Sequence, residues 1–388
     1  MKVLIAIDSF KGSISSIDGS KAISLGIEDV YHDAEIVTFP LADGGEGTVE
    51  ALVQATDGLL INKKVTGPLN EKVDAVYGVL GDGKTAVIEV AAACGLPLVA
   101  SNKRNPSVTT TYGVGELIYD AIEKGYHDFV IGLGGSATND AGVGMLQALG
   151  FSFLDQHNEE VGLGGKELQR IREIDVTQAH PKLKDCTFKM ACDVKNILYG
   201  PTGATFVFGP QKGATVEMIK ELDKGLENFA QVVLNELDTD IHNLIGAGAA
   251  GGLGAAFAGF LQAHLHSGVQ LILDLIRMEE KIQGVDFVIT GEGKLDGQTS
   301  MGKTPLGVAK LAHNHQIPVI ALAGGIAEEP STLNQLGITS CFSILNAPMS
   351  IEQAMDSKVT FDNLRLTTNQ LFRLIQAVHI NKSLLQLK

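Results

Sequence analysis

The sequence has no tryptophan, few other aromatic residues and no long hydrophobic run. Aromatic residues make up 5% of the 388 residues, and no stretch approaches the ~20 apolar residues of a transmembrane helix. The apolar run at residues 3–7 is too short for the core of a signal peptide. These absences argue against a membrane protein and predict a cytoplasmic location.

Cysteines are also few, and basic residues are outnumbered by acidic ones. Four cysteines show neither a CxxC pattern nor a Cys/His metal spacing, which favours reduced, buried thiols. The formal net charge is −15, from 30 basic and 45 acidic residues. A surface of this charge repels a phosphate backbone, so we expect no nucleic-acid partner.

Glycine and aliphatic residues are abundant instead. Hydrophobic residues make up 45% of the chain and charged residues 19%, as in a globular α/β protein. The 45 glycines are about 12% of the chain, where roughly 7% is usual. They cluster beside short apolar runs, which indicates backbone that closely approaches a neighbour or a ligand.

Apolar runs and helical periodicity alternate at both ends of the chain. Strand patterns at residues 3–7 and 35–39 are followed by polar loops and helices, and the same order returns after residue 285. Residues 62–90 favour antiparallel hairpins. We therefore predict a discontinuous doubly wound α/β domain with a parallel sheet, formed by residues 1–66 and 269–388. Residues 67–268 form an inserted α/β domain, and the active site lies in the cleft between the two.

The loop at residues 291–304 is the strongest site candidate, because it combines glycines, carboxylates and lysines after a strand. Its candidate residues are Gly291, Glu292, Gly293, Lys294, Asp296 and Lys303. Residues 297–304 also match the P-loop pattern, but six residues separate that pattern from the predicted strand. We interpret it as a chance match within a real site. The alternative is a glycine-rich surface turn.

Two further glycine-rich segments are candidates for anion binding. Residues 132–140 follow an apolar strand and are expected to open a helix, whose amides could hold phosphate or carboxylate. The candidates there are Gly134, Gly135, Ser136 and Thr138, with helix capping by Ser136 or Thr138 as the alternative. Residues 246–251 match GxGxxG without a preceding strand, so close packing of Gly248 and Gly251 explains the pattern as well as a nucleotide does.

Charged residues in other loops complete the set of candidates. Asp8, Lys11, Asp43 and Glu46 are expected to converge on one sheet edge, where the three carboxylates could bind Mg²⁺ or act as bases. Asp193 and Lys212 follow other apolar segments, and Arg104 could clamp a carboxylate. Taken singly, each is as readily a helix cap or a solvated surface charge.

Six segments taken in order resemble the bacterial glycerate kinase family, and together they span nearly the whole chain. They are residues 8–12, 41–48, 132–139, 208–214, 246–252 and 289–299. The resemblance implies a flavodoxin-like domain carrying an inserted α/β domain. It also implies phosphorylation of D-glycerate that depends on ATP and Mg²⁺, with 2-phosphoglycerate as the usual product of this branch, the class I glycerate 2-kinases.

The resemblance further implies residue roles. The residues expected to line the cleft are Lys11, Asp43, Asp193, Lys212, Lys294 and Asp296. Either Asp193 or Asp296 is the base or a Mg²⁺ ligand, a lysine such as Lys294 neutralises transferred charge, and Arg104 or Lys11 holds the glycerate carboxylate.

Two other functions remain open from the sequence. One is a P-loop or GHMP-type kinase of another small hydroxy-acid or alcohol. The other is a non-catalytic sensor that closes on a small acid or nucleotide. Under any of these readings the partners are small molecules rather than membranes, and a homo-oligomer is left open.

Overall fold

The computed structural model describes residues 1–300, 303–327 and 329–386. In chain order, its strands are β1 (Lys2–Ile7), β2 (Glu35–Thr38), β3 (Leu59–Thr66), β4 (Lys72–Val79), β5 (Thr85–Glu89), β6 (Asp128–Gly132), β7 (Ser152–Leu154), β8 (Glu173–Asp175), β9 (Thr187–Ala191), β10 (His264–His266), β11 (Phe287–Leu295), β12 (Val319–Ile326) and β13 (Ser340–Ser343).

The helices are likewise numbered along the chain. They are α1 (Ser16–Glu28), α2 (Thr48–Ala55), α3 (Ala91–Cys94), α4 (Tyr112–Glu123), α5 (Val143–Ala148), α6 (Ala204–Phe208), α7 (Val216–Leu237), α8 (Leu253–Leu261), α9 (Gly268–Leu275), α10 (Met278–Lys281), α11 (Gly297–Ser300), α12 (Thr304–Asn314), α13 (Pro330–Gln335), α14 (Ile351–Ala354) and α15 (Ser357–Gln386). Over the described ranges, none of them has the length and apolar character needed to cross a bilayer.

The chain divides into two compact units, and the first unit is discontinuous. It comprises Met1–Asp43 and Val269–Lys388, and the second unit is Gly44–Gly268. The predicted first boundary at residue 66 therefore falls too late. The reason is that β3 pairs along its whole length with β4, from Leu59 opposite Val79, and so belongs to the sheet of the second unit. The location of the active site in a cleft between the units stays a prediction.

The first unit is built on a five-stranded sheet in the order β13-β12-β11-β1-β2, with every pair parallel. Numbered by their order within this unit, the strands run 2-1-3-4-5 from the β2 edge, which is the flavodoxin-like order. The fold class predicted from the sequence is thereby confirmed. In such a sheet the order reverses between the first and third strands, here β1 and β11, and ligands bind beyond the carboxyl ends of the strands at that point.

Both faces of this sheet are covered, as expected of a doubly wound fold. Val3 and Ile5 of β1 pack in one cluster with Ile23 of α1 and Phe372 of α15. Leu4, which points to the opposite face, is equally buried. A strand that is buried on both faces has a continuous run of apolar residues in its sequence, instead of alternating apolar and polar residues. The sequence of β1 shows this continuous run.

The second unit contains a mixed six-stranded sheet in the order β10-β9-β6-β5-β4-β3. The pairs β3/β4 and β4/β5 are antiparallel, as the hairpin pattern predicts, whereas β5, β6, β9 and β10 run parallel. Its core includes the stacked rings of Phe129 and Phe188, whose centroids are 4.8 Å apart. The carboxyl ends of β5, β6 and β9 lie side by side, so the loops that follow them are neighbours.

Candidate active site

Two carboxylates lie side by side where the strand order of the first unit reverses. Ile7 is in register with Gly291, and the amide of Asp8 donates to the Gly291 carbonyl at 2.8 Å. Asp8 is 2% exposed and Glu292 is 8% exposed. The sheet therefore places two buried acids at the site that this topology favours for ligand binding.

Two threonine hydroxyls hold these carboxylates. Thr304, the first residue of α12, donates to Asp8 Oδ2 at 3.1 Å, and Thr299 in α11 donates to Glu292 Oε1 at 2.6 Å. Both threonines are fully buried. Because sequence reasoning looked for charged groups and glycines, it missed these two orienting residues. The sequence signal for such residues is a threonine on a helix that follows a strand with a carboxylate at its end.

Burial dominates the electrostatics of the pair. It raises the pKa of Asp8 to about 6, and the nearby charge of Asp43 adds to the increase while Lys11 opposes it. Burial also raises the pKa of Glu292 to about 7, against the hydrogen bond from Thr299 and the charge of Lys303. Both acids are therefore able to exchange protons near neutral pH.

Lys11 and Asp43 form an ion pair beside the two acids. Their Nζ and Oδ2 atoms are 3.2 Å apart, with the lysine side chain 57% and the aspartate side chain 16% exposed. Burial lowers the pKa of Lys11, but the charges of Asp43 and Asp8 outweigh it, so the net pKa shift is upward. Lys11 therefore stays cationic, and the structure brings together three of the predicted site residues: Asp8, Lys11 and Asp43.

The loop after β11 differs from its predicted form. β11 extends to Leu295, well past the expected end at residue 290, so only Asp296 separates it from Gly297. Gly297 then begins the short helix α11 rather than an open phosphate loop. The six-residue gap inferred from the sequence is thus wrong, although the chain still forms no open P-loop at Gly297. Gly302, the second glycine of the pattern, lies outside the described residues.

The remaining candidates of this segment have different surroundings. Lys294 Nζ lies 3.8 Å from Asp296 Oδ2, and both side chains are accessible. Lys303 immediately precedes α12. A Cβ atom at Gly291 would lie 2.2 Å from the Leu322 carbonyl oxygen of β12, so close strand packing already requires this glycine. Gly293 has no such steric requirement.

In the second unit, the loop after β6 does not open a helix directly. The next helix, α5, begins at Val143, eleven residues beyond the end of the strand at Gly132, with Gly142 as its N-cap. Ala141 and Gly142 both have positive φ, at 50° and 74°. The buried carboxylate of Asp140 fixes this turn by accepting from the Gly142 amide and from Thr111. The predicted helix-dipole cradle is therefore wrong, and so is its alternative of capping by Ser136 or Thr138.

The same loop instead surrounds a buried ammonium group. Lys212 is 2% exposed, and its Nζ donates to Ser136 Oγ at 2.9 Å and to the Thr138 carbonyl at 2.6 Å. Burial lowers the pKa of Lys212 to about 8. Throughout the described ranges Lys212 makes no salt bridge. A buried charge of this kind is costly unless something of opposite charge approaches it.

The backbone of Arg104 packs against Gly213, the residue after this lysine. The carbonyl oxygen and Cβ of Arg104 would be 2.4 Å and 2.8 Å from a Cβ atom placed on Gly213. Its Nε is buried and has no hydrogen-bond partner in the described part of the chain. Native buried donors are nearly always satisfied, so the unpaired guanidinium nitrogen of Arg104 favours an anionic ligand near it.

The GxGxxG segment has a packing role. A Cβ atom at Gly251 would lie 2.0 Å from the Thr138 carbonyl oxygen, and one at Gly248 would lie 2.3 Å from the Ile197 carbonyl oxygen. The Gly251 carbonyl also accepts from the Ala141 amide at 3.0 Å. These glycines bring one backbone against another, which is the packing alternative considered for this motif.

The segment after Asp43 runs across the carboxyl ends of the second sheet. A Cβ atom at Gly44 would touch Ala191 of β9, and one at Gly134 would lie 2.8 Å from Gly45. Glu46 is exposed on this segment. Asp193, just beyond β9, is also exposed, and its Oδ1 accepts from the Gly268 amide at 3.2 Å. Glu46 and Asp193 are thus accessible to solvent, and Gly135, in the neighbouring loop, is exposed as well.

A functional candidate that sequence reasoning missed is Glu89, at the end of β5. Its Oε1 accepts from the Val49 amide at 2.8 Å, which ties β5 to the first turn of α2. Burial raises the pKa of Glu89 to about 7, and the charges of Glu50 and Glu46 contribute to that increase. In the sequence, Glu89 resembles any residue at the end of a strand, so nothing there marks it as functional.

No group of three or more His, Cys, Asp or Glu side chains is arranged to hold a metal ion in the ranges that the structure covers. Mg²⁺ commonly takes only one or two carboxylates and completes its shell with water and phosphate oxygens. The accessible carboxylates of Asp193 and Asp296 have the hard oxygen donors that this ion prefers. The donor chemistry therefore fits Mg²⁺ bound together with a phosphate-bearing ligand.

A cavity of about 550 Å³ lies elsewhere in the second unit, and Phe188 and His264 are among the residues that line it. These residues lie at the amino ends of β9 and β10. Ligands of parallel sheets bind at the opposite, carboxyl ends. This cavity therefore does not change the assignment of the site.

The fold and its two residue clusters, buried acids in one unit and a buried lysine in the other, are typical of an α/β enzyme. Comparison with known proteins makes this specific, because the glycerate kinase family matches residues 3–376. A glycerate 2-kinase of Escherichia coli K12 is 47% identical over 94% of this chain and 95% of its own length. A glycerate kinase of Bacillus subtilis is 48% identical over 92% of this chain and 93% of its own.

A solved structure agrees with these sequence relatives. A crystal structure from Salmonella typhimurium LT2 that was assigned to glycerate kinase 2 is 42% identical and superposes with a TM-score of 0.88, covering 98% of this chain and 99% of that one. The chain belongs to the glycerate kinase family, a family of enzymes that are phosphotransferases, and a kinase family implies a nucleotide substrate. The family resemblance read from the sequence is confirmed.

Proposed function

We propose that this protein transfers the γ-phosphoryl group of ATP to the 2-hydroxyl of D-glycerate, giving 2-phosphoglycerate and ADP. The observation that carries the proposal is the 47% identity, over nearly the full length of both chains, to a relative named glycerate 2-kinase. That name specifies the position of transfer for the relative, and the proposal extends it to this chain. The charge arrangement at the two clusters supports phosphoryl transfer to an anionic substrate.

The second unit supplies the groups that suit an anion. The backbone of Arg104 packs against Gly213, the residue after Lys212, and neither Arg104 nor Lys212 makes a salt bridge within the described ranges. Ser136, in the loop that also carries Gly134 and Gly135, accepts a hydrogen bond from Lys212. Loop amides and fixed cations stabilise phosphate or carboxylate without reorganisation. We assign this cluster to a phosphate or to the glycerate carboxylate, with Arg104 well suited to the planar carboxylate.

The first unit supplies the groups that suit phosphoryl transfer. Asp8 and Glu292 offer carboxylates with raised pKa values, Lys11 and Lys303 offer cations near them, and Lys294 offers a cation beside Asp296. Phosphoryl transfer depends mainly on positioning and on neutralising the charge of the transferred group. The lysines perform the second task in this proposal, and Asp43 orients Lys11.

Magnesium is the metal we expect, with either Asp296 or Asp193 as a protein ligand beside phosphate oxygens of the nucleotide. When bound, Mg²⁺ neutralises phosphate charge and orients the transferred group. Asp296 is one-third exposed and Asp193 is exposed, so both carboxylates are reachable from solvent. We expect the enzyme to act in the cytoplasm.

The proposal is tested by measuring ADP release from ATP with a panel of small acids and alcohols. Release should require both Mg²⁺ and D-glycerate, and kcat/KM should be highest for D-glycerate. A higher kcat/KM for another hydroxy-acid would keep the kinase and replace the substrate. ATP binding without any acceptor-dependent ADP release would favour the sensor and contradict the proposal.

A further inference from the structure

We propose that Glu292 is the catalytic base that accepts the proton of the glycerate hydroxyl, a role for which the sequence had favoured Asp296 or Asp193. The inference rests on the proposed function, because it assigns one step of that reaction. Its support is the position, burial and hydrogen bonding of the Glu292 side chain.

Position is the first argument. β11 continues for several residues beyond Gly291, and Glu292 is the first residue past the point where β1 ends and Asp8 begins the loop. This is the topological switch point of the five-stranded sheet, where this class of fold binds its ligands. Asp296 lies four residues further along, beyond the end of the strand.

The second argument is the state of the two carboxylate oxygens of Glu292. Thr299 donates to Oε1 at 2.6 Å, so that oxygen is occupied and the side chain is held in place. In the described part of the chain, Oε2 has no hydrogen-bond partner. A base needs one free oxygen on a fixed side chain, and Glu292 meets both conditions.

The third argument is charge. Four ionisable groups surround Glu292: Asp8 from the loop after β1, Lys11 from the same loop, Asp296 after β11 and Lys303 before α12. The two acids and burial favour the protonated form, while the lysines favour the charged form. The balance raises the pKa of Glu292 to about 7, which suits a base that must accept a proton at neutral pH and release it again.

In the proposed step, the hydroxyl oxygen of glycerate forms a bond to the γ-phosphorus of ATP, and its proton passes to Glu292 Oε2. The bond between the γ-phosphorus and the β,γ-bridging oxygen breaks, and its electron pair leaves with ADP. Glu292 then returns the proton to solvent, so each turnover gives phosphoglycerate, ADP and one proton.

The test compares pH profiles of kcat/KM for the wild-type enzyme and three variants. Wild-type kcat/KM should fall below about pH 7, as Glu292 becomes protonated. Glu292→Gln keeps the acceptor for Thr299 but cannot take a proton, so kcat should drop by roughly 10²–10⁴ and this acid limb should disappear. Glu292→Asp should recover part of kcat. The exposed Glu352→Gln serves as the matched control and should keep the wild-type profile.

The outcomes separate this inference from the function it depends on. An inactive wild-type enzyme overturns both. An active wild type whose Glu292→Gln variant keeps kcat within about threefold, with the acid limb unchanged, overturns the base assignment alone. If that limb survives in Glu292→Gln but disappears in Asp8→Asn, Asp8 is the base and the inference is wrong. A shift of the limb to lower pH in Asp8→Asn supports it, because loss of a like charge lowers the pKa of Glu292.

Discussion

The ammonium group of Lys212 is buried against Ser136 and Thr138, 2.9 Å from the serine hydroxyl and 2.6 Å from the threonine carbonyl. The loop after β6 is therefore held by the ammonium group of Lys212. Within the ranges the structure describes, no carboxylate contacts this ammonium group. We expect the phosphate or carboxylate proposed for this loop to neutralise the lysine when it binds.

Lys212→Met should separate the electrostatic role of this residue from a packing role. We expect kcat/KM to fall by at least about 100-fold, because a preorganised cation beside transferred charge contributes on this scale. The free energy of unfolding in urea should change by less than about 3 kcal/mol, because removal of a buried charge offsets the loss of its hydrogen bonds to Ser136 and Thr138. The exposed Lys220→Met is the control. A large loss of stability with kcat/KM unchanged would contradict the role.

Glu89→Gln should make stability less dependent on pH. The folded-state pKa of about 7 exceeds the usual 4.5, so the contribution of Glu89 to stability is present below the lower value and is lost as pH rises through the higher one. The free energy of unfolding of the variant, relative to wild type, should therefore increase by about 1–3 kcal/mol between pH 5 and pH 8.

The exposed Glu236→Gln, on α7, is the matched control for urea unfolding at the two pH values. Its difference from wild type should stay nearly constant between them. An equal pH dependence for Glu89→Gln and wild type would show that Glu89 is not protonated in the folded protein at pH 5.

Gly251→Ala should show how tightly the loop after β6 is packed. Both Gly251 and Gly83 have φ near +70°, but a Cβ atom at Gly83 meets nothing within 4 Å, whereas at Gly251 it lies 2.0 Å from a carbonyl oxygen. Gly83→Ala should cost about 1–2 kcal/mol from backbone strain alone. Gly251→Ala should cost several kcal/mol more in urea unfolding. Equal losses would mean that the Gly251 contact relaxes freely.

Asp296→Asn should abolish turnover without unfolding the protein, as expected for a Mg²⁺ ligand. The carboxylate is partly exposed, so its replacement leaves no buried unsatisfied charge. The measurement is kcat at increasing Mg²⁺, with circular dichroism to confirm folding. The highly exposed Asp74→Asn is the control, and near-normal activity of Asp296→Asn at low Mg²⁺ would remove this residue from the site.

The fold could be predicted largely from apolar runs, and the reasons are visible in particular strands. β1 is buried on both faces and so reads as an uninterrupted apolar segment, which places Asp8 at its end. β11 is harder to delimit, because Gly291, Glu292, Gly293 and Lys294 interrupt its apolar pattern while the backbone still pairs with β12. Backbone pairing leaves little trace in amino-acid composition. The sequence therefore predicts that this strand ends at residue 290, five residues before its observed end at Leu295.

The site was only partly predictable, because sequence shows residue types but not their environments. Lys212 and Asp193 were equivalent loop charges in the sequence, yet Lys212 is buried and Asp193 is exposed. Glu89 resembled any strand end until its contact with the Val49 amide was visible. Burial and hydrogen bonding arise from long-range contacts, and these determine which carboxylates can act near neutral pH.

The most direct test of the proposed function is ³¹P NMR of the purified protein with ATP, Mg²⁺ and D-glycerate. This measurement detects phosphoryl transfer and identifies the phosphorylated carbon in one experiment. The account predicts a 2-phosphoglycerate signal that grows together with those of ADP. A 3-phosphoglycerate signal, or no glycerate-dependent product from folded protein, would contradict it.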